Sequence, residues 1–227
     1  MDKSKSIHKA LIAEFIGSMF LVMASVSSII LFTMVLESHI SVALFAHAVT
    51  VAFVLFALIE MLGPISYAHF NPVVTMAMVL DKKIDYRNAA MYIPVQIAGG
   101  ISGVIVSHIM FFDEVGYLIS IADVVRNDYK YFSEIIGAFI LVLAILLLTK
   151  MKLTKASIIV SFLVGGQIMA TSSMMFANPQ VTIARMFTNT ASGIRPFDGM
   201  VFIVMQIIGA LLAFTVYKLI FFKGKEQ

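Results

Sequence analysis

No cysteine and no tryptophan occur among the 227 residues. Without cysteine there is no disulfide, no thiol nucleophile and no thiolate metal site. Without tryptophan, tyrosine and phenylalanine are left to anchor the chain at a lipid–water boundary. Charge is scarce as well. Charged residues make up 13% of the chain against 60% hydrophobic residues, too little polar surface to coat a soluble domain. The net charge is only +3, which argues against a nucleic-acid partner. The partner this composition fits is a lipid bilayer.

Apolar runs of spanning length recur at roughly 10–36, 41–62, 87–112, 131–149, 156–175 and 198–222. Six helices of this size account for most of the chain. They predict one transmembrane domain over 1–227, with no second soluble domain. The first run has no small-residue cleavage site and contains Glu14, so it reads as a retained helix and not a signal peptide.

The basic residues cluster. Lys3, Lys5 and Lys9, then Lys82, Lys83 and Arg87, then Lys150, Lys152 and Lys155, then Lys218, Lys223 and Lys225 all fall on the side of the termini if there are six spans. Arg126, Lys130, Arg185 and Arg195 fall elsewhere. By the positive-inside rule both termini are cytoplasmic, in a plasma or inner membrane.

The two halves of the sequence resemble each other. AEFIGSMFLV (13–22) matches SEIIGAFILV (133–142); HFNPVVTMAM (69–78) matches FANPQVTIAR (176–185); VQIAGGISG (95–103) matches MQIIGALLA (205–213). The pairs keep their order, each a little over a hundred residues apart. Repeat halves of about 8–112 and 131–222 hold three spans each, so they enter the membrane from opposite sides and form an inverted repeat. A functional site is then expected at the midplane.

Each half also contains an apolar stretch too short to cross. Pro72 and Pro179 stand where a helix starts, the first-turn position at which a missing N–H costs nothing. Asn71 and Asn178 fall at the cap. Each stretch therefore enters as extended backbone, turns at the asparagine and returns as a half-helix. A single Asn-Pro is ordinarily a surface turn; two at matching repeat positions are not. Irregular backbone at membrane depth has to be buried in protein or line a wet cavity.

With HFNPVVT, NPQVT and the AEFIG opening in view, the chain resembles the aquaporins and aquaglyceroporins, the major intrinsic proteins. It looks like an atypical member. The usual Asn-Pro-Ala is Asn71-Pro72-Val73 in one copy and Asn178-Pro179-Gln180 in the other. The resemblance implies an all-α membrane protein of six transmembrane helices plus two re-entrant half-helices, with a pore in each subunit of a homotetramer. It further implies that Asn71 and Asn178 turn amide donors into the pore. Opposed half-helix dipoles would then disfavour cations at the centre.

Glu14 and Glu134 occupy equivalent positions in the first and fourth spans. An intramembrane carboxylate is a functional candidate by default. In the family, glutamates here brace the re-entrant loops, and that reading is preferred to proton coupling. His69 matches the family as a packed hydrogen-bonding group, with pore gating the alternative. Gly99 and Gly103 form a small-xxx-small pair suited to close helix contact.

The family's filter positions carry over by their distance from the asparagines to Val51, Gly166, Met175 and Val181. Water-selective members place an aromatic, a histidine, a small residue and an arginine there. Glycerol-conducting members keep the arginine, with glycine in the fifth span. Here the arginine is missing and Val51, Met175 and Val181 are apolar, which implies a wider and less polar constriction. It would pass glycerol-like polyols, urea or undissociated metalloid acids such as arsenite, and water. Some bacterial relatives lacking the same arginine are associated with arsenic handling. Arg185, two turns beyond Asn178, either hangs over the outer vestibule or satisfies loop carbonyls or a lipid headgroup.

A passive channel needs no cofactor and no metal. The alternatives are a water-selective pore and, in another class, an ion-coupled secondary transporter, which also uses inverted repeats and broken helices. No spacing sets a nucleophile beside a base and no metal-ligand cluster is visible, so an enzyme is not expected.

Overall fold

The computed structural model describes residues 3–221, with side chains from Ile7. Lys223 and Lys225, like the side chains of Lys3 and Lys5, lie outside the described residues. The helices are α1 (Lys3–Ile30), α2 (Ile40–Ser66), α3 (Pro72–Leu80), α4 (Tyr86–Met110), α5 (Phe112–Val115), α6 (Tyr129–Met151), α7 (Ala156–Ala170), α8 (Pro179–Arg185) and α9 (Pro196–Ile220). A five-residue π turn, Leu31–Val35, extends α1.

Five of these helices are long and apolar enough to cross a membrane. The sixth expected span is shorter than its sequence suggested. The apolar run continues to residue 175, but α7 ends at Ala170 after 15 residues. At 1.5 Å per residue it covers about 22 Å against a hydrocarbon core of about 30 Å. The remaining residues, 171–178, form the non-helical approach to the second half-helix.

α3 and α8 are the two half-helices, nine and seven residues long. Both begin with proline, and both are capped by the preceding asparagine in an extended conformation.

Glycine decides how closely the long helices approach. A Cβ on Gly99 would meet the Phe15 carbonyl at 2.5 Å, and one on Gly103 would overlap the Met19 carbonyl of α1. Gly209 of α9 stands in the same relation to the Ile135 carbonyl of α6. The small-residue pair thus docks α4 on α1, and the second repeat reproduces the contact with α9 on α6.

Asp81 at the end of α3 accepts from Lys218 at 3.0 Å, and Lys150 lies over the Phe221 ring at 5.6 Å. These contacts gather the ends of α3, α6 and α9 at one basic end of the bundle.

Candidate pore and its central crossing

Each re-entrant loop approaches its asparagine through left-handed backbone at residues that are not glycine. The first loop has Tyr67, Ala68 and Phe70 at φ 68°, 50° and 43°; the second has Met174, Met175 and Ala177 at 63°, 43° and 45°. Side-chain-bearing residues rarely adopt this region, so the surroundings must hold it. Two buried carboxylates do so. Glu14 accepts from the backbone N–H of His69 (3.0 Å) and Phe70 (2.8 Å), from Ser66 Oγ (2.6 Å) and from Gln96 Nε2 (2.8 Å). Glu134 accepts from the N–H of Phe176 (3.0 Å) and Ala177 (2.8 Å) and from Gln206 Nε2 (2.6 Å).

Gln96 and Gln206 then reach the half-helices. Gln96 Nε2 donates to Thr75 Oγ1 (3.0 Å) and Gln206 Nε2 to Thr182 Oγ1 (2.9 Å). Each threonine donates to the carbonyl of its own asparagine, Asn71 (3.1 Å) or Asn178 (2.9 Å). The chain carboxylate–glutamine–threonine–asparagine therefore occurs twice. His69 packs into the first copy through a 3.1 Å contact from Nδ1 to Thr75 Oγ1 and an edge-on contact with Tyr92.

The asparagines tie the loops together. Each uses its Oδ1 on its own cap, accepting from Val73 N or Gln180 N. Asn71 Nδ2 donates across to the Ala177 carbonyl (2.9 Å), and Asn178 Nδ2 donates to the Phe70 carbonyl (2.8 Å). An amide nitrogen carries two protons, so one on each side chain is left for the cavity that both line. The departure at Gln180 joins the same crossing, its Nε2 donating to the Phe70 carbonyl at 3.2 Å. Val73, the other departure, is buried.

A cavity of about 520 Å³ runs beside this crossing, from Lys83 and Asp85 at the basic end to His47 and Arg185 at the other. Val51 and Leu55 face it from α2, and Leu141, Ile145 and Leu148 from α6, at helical spacing. Val51, Met175 and Val181 all line it. Gly166 does not. It is exposed on the outside of α7, and a Cβ there would touch nothing within 4 Å. Its neighbour Gly165 packs against Ala48 and Ala52 of α2. The side chains that α7 turns to the cavity are Val160, Val164 and Ile168. Counting back twelve residues from Asn178 passes through turn and left-handed backbone, where residue number does not track helical facing.

Arg185 is buried, lines the cavity and stacks on the Phe176 ring, 4.2 Å from guanidinium to centroid. It does not serve its loop's carbonyls. Arg126 does that, with Nε on the Gly193 carbonyl (2.8 Å) and Nη2 on the Ala191 carbonyl (2.9 Å). Burial pushes Arg126 down to about 10, which leaves it charged at neutral pH. Burial also removes Arg185 from any lipid headgroup.

Comparison with known proteins gives the same picture. The family model for the major intrinsic protein matches residues 1–177. The chain is 34% identical over 207 residues to the aquaglyceroporin AqpS of Rhizobium meliloti, covering 91% of this chain and 88% of that one. It is 27% identical to the probable aquaporin PIP2-7 of Oryza sativa over 241 residues, or 95% and 80% of the two chains. The X-ray structure of the aquaglyceroporin from Plasmodium falciparum superposes with a TM-score of 0.71 at 18% identity, covering 93% of this chain and 95% of that one; at that identity the likeness speaks for the fold. The chain, a multi-pass membrane protein with two re-entrant half-helices, belongs to the major intrinsic protein family.

Proposed function

We propose that this protein is a passive channel for small neutral solutes (glycerol-like polyols, urea or undissociated metalloid acids such as arsenite) together with water. The observation that carries the reading is the lining of the cavity. The two asparagines offer one spare amide proton each, and Val51, Ile168, Met175 and Val181, which line the same cavity, bear no polar side chain. A neutral solute can shed part of its hydration there and recover hydrogen bonds at the asparagines. A cation finds no acceptor in exchange for its hydration at the amide donors, and the paired half-helix N-termini oppose it further. The aquaglyceroporin named among the relatives supports the same substrate class.

In this reading Glu14, Glu134 and His69 brace the loops. The two carboxylates accept from backbone N–H groups, serine and glutamine, and His69 is held through Nδ1 by Thr75, so all three are committed to the loops and not to carrying a coupling ion. The chain acts as one channel domain, with both termini cytoplasmic as the basic clusters indicate, in a plasma or inner membrane and as a homotetramer by family likeness. The activity is passage, not catalysis. Uptake of glycerol and arsenite into proteoliposomes under imposed pH and sodium gradients tests this. Uptake that ignores both gradients and does not saturate is the expected result; uptake driven by either gradient would make the protein a transporter.

A further inference from the structure

The end of the cavity beyond Val181 holds a cation that forms no direct ion pair among the described residues. Arg185 is 2% exposed, and its Nε and Nη2 have no hydrogen-bond partner among the described residues. These two nitrogens form the side of the guanidinium that grips planar oxygen pairs. The buried carboxylate Glu134 makes no hydrogen bond to it and accepts instead from two backbone N–H groups and Gln206. Asp198 is occupied by Arg126 N, Tyr131 Oη and Arg195 Nη2. The second guanidinium on the same Phe176 ring, Arg126 at 5.1 Å, adds positive potential and brings no counter-charge. Of the charged residues lining the cavity, Lys83 and Asp85 stand at the basic end and Arg185 alone at this end. His47 lines the cavity here too, with Nδ1 held at 3.0 Å from Ser28 Oγ.

A buried charge left unpaired is costly, so a group that lines a cavity in this state is completed by what enters the cavity. We propose that Arg185 forms a binding site for a small, singly charged oxyanion in the chamber beyond the apolar constriction. The anion is held by the guanidinium side and stopped there, because Val51, Ile168, Met175 and Val181 offer it nothing in exchange for its hydration. A bound anion then stands in the path of neutral solutes and slows them. The site is thus a discriminator placed ahead of the constriction, and the proposal rests on the channel reading above.

The test measures glycerol flux into proteoliposomes as nitrate replaces gluconate, a much larger anion, at constant ionic strength. Wild-type flux should fall several-fold and saturate with nitrate. Arg185→Met should lose the response, and Arg185→Lys should need several-fold more nitrate. In parallel, nitrate should raise the thermal midpoint of the purified wild-type protein over gluconate, a readout that needs no flux. Wild-type flux and midpoint indifferent to nitrate would overturn the site, as would Arg185→Met slowed as much as wild type. Should Arg185→Met not fold, the wild-type and Arg185→Lys arms decide. Absence of glycerol flux in nitrate-free wild type would count against the channel reading, and the thermal shift would still judge the site.

Discussion

Gln180 occupies the space that a side chain on Gly100 would need: a Cβ on that glycine of α4 would overlap Gln180 Oε1. The residue that breaks the family motif in α8 is therefore accommodated by an absent side chain on a different helix. Gly100→Ala should destabilise the protein by about 1–3 kcal/mol, the usual cost of overpacking. Gly100→Ala combined with Gln180→Ala should recover most of that loss. Thermal unfolding in detergent of the two single variants and the double variant measures the coupling; additive losses would mean the two positions do not compete.

Glu14 and Glu134 hold left-handed backbone in place. Glu14→Ala strands two backbone N–H groups, Ser66 and Gln96 at once, at about 1–3 kcal/mol for each donor left buried without a partner. Both alanine variants should therefore give far less folded protein. The glutamine variants, which keep one acceptor oxygen, should fold better than the alanine variants and conduct glycerol without moving protons. A pH-sensitive dye trapped in the vesicles reports the last point. Proton movement that accompanies wild-type glycerol flux and vanishes in Glu134→Gln would overturn the bracing role.

The outward placement of Gly166 separates two accounts of the fifth-helix contribution. Gly166→Val should leave glycerol flux within about twofold of wild type, since a Cβ at this exposed position meets nothing within 4 Å and such exposed substitutions change stability by no more than about 0.5 kcal/mol. Ile168→Phe adds bulk directly to the lining and should slow glycerol more than water. Paired flux measurements on the two variants give the answer; a block by Gly166→Val with normal flux in Ile168→Phe would restore Gly166 to the filter.

With no cysteine in the chain, mercurials have no thiolate to capture and should leave flux unchanged. Met175→Cys places a thiol in the lining and should make glycerol flux mercury-sensitive, reversibly with added thiol. Gly166→Cys should conduct normally and stay insensitive. Dose–response curves of flux against mercuric chloride distinguish the two positions.

Much of this architecture is legible in the sequence, for a physical reason. Solvation by lipid forces long apolar runs, and two capped prolines at matching places announce the half-helices. The carboxylates Glu14 and Glu134 stand out because such groups are expensive in an apolar helix. Gln96 and Gln206 are harder to notice, since an uncharged amide lacks the charge that makes a carboxylate stand out in a span. Their signal was present, as both sit second in the matching strings VQIAGGISG and MQIIGALLA. The left-handed backbone at Phe70, Met175 and Ala177 leaves no trace, because no glycine marks it. The inward face of α7 is not legible because the chain between Ala170 and Asn178 is non-helical, with turn and left-handed residues, so a fixed spacing selects no particular side of the helix.

The central claim is tested most directly by stopped-flow light scattering of proteoliposomes exposed in turn to an impermeant osmolyte and to glycerol. The account predicts glycerol entry well above that of empty vesicles, rising in proportion to the gradient, together with accelerated water flow. Accelerated water flow with glycerol entry no faster than in empty vesicles would contradict it and make the pore water-selective.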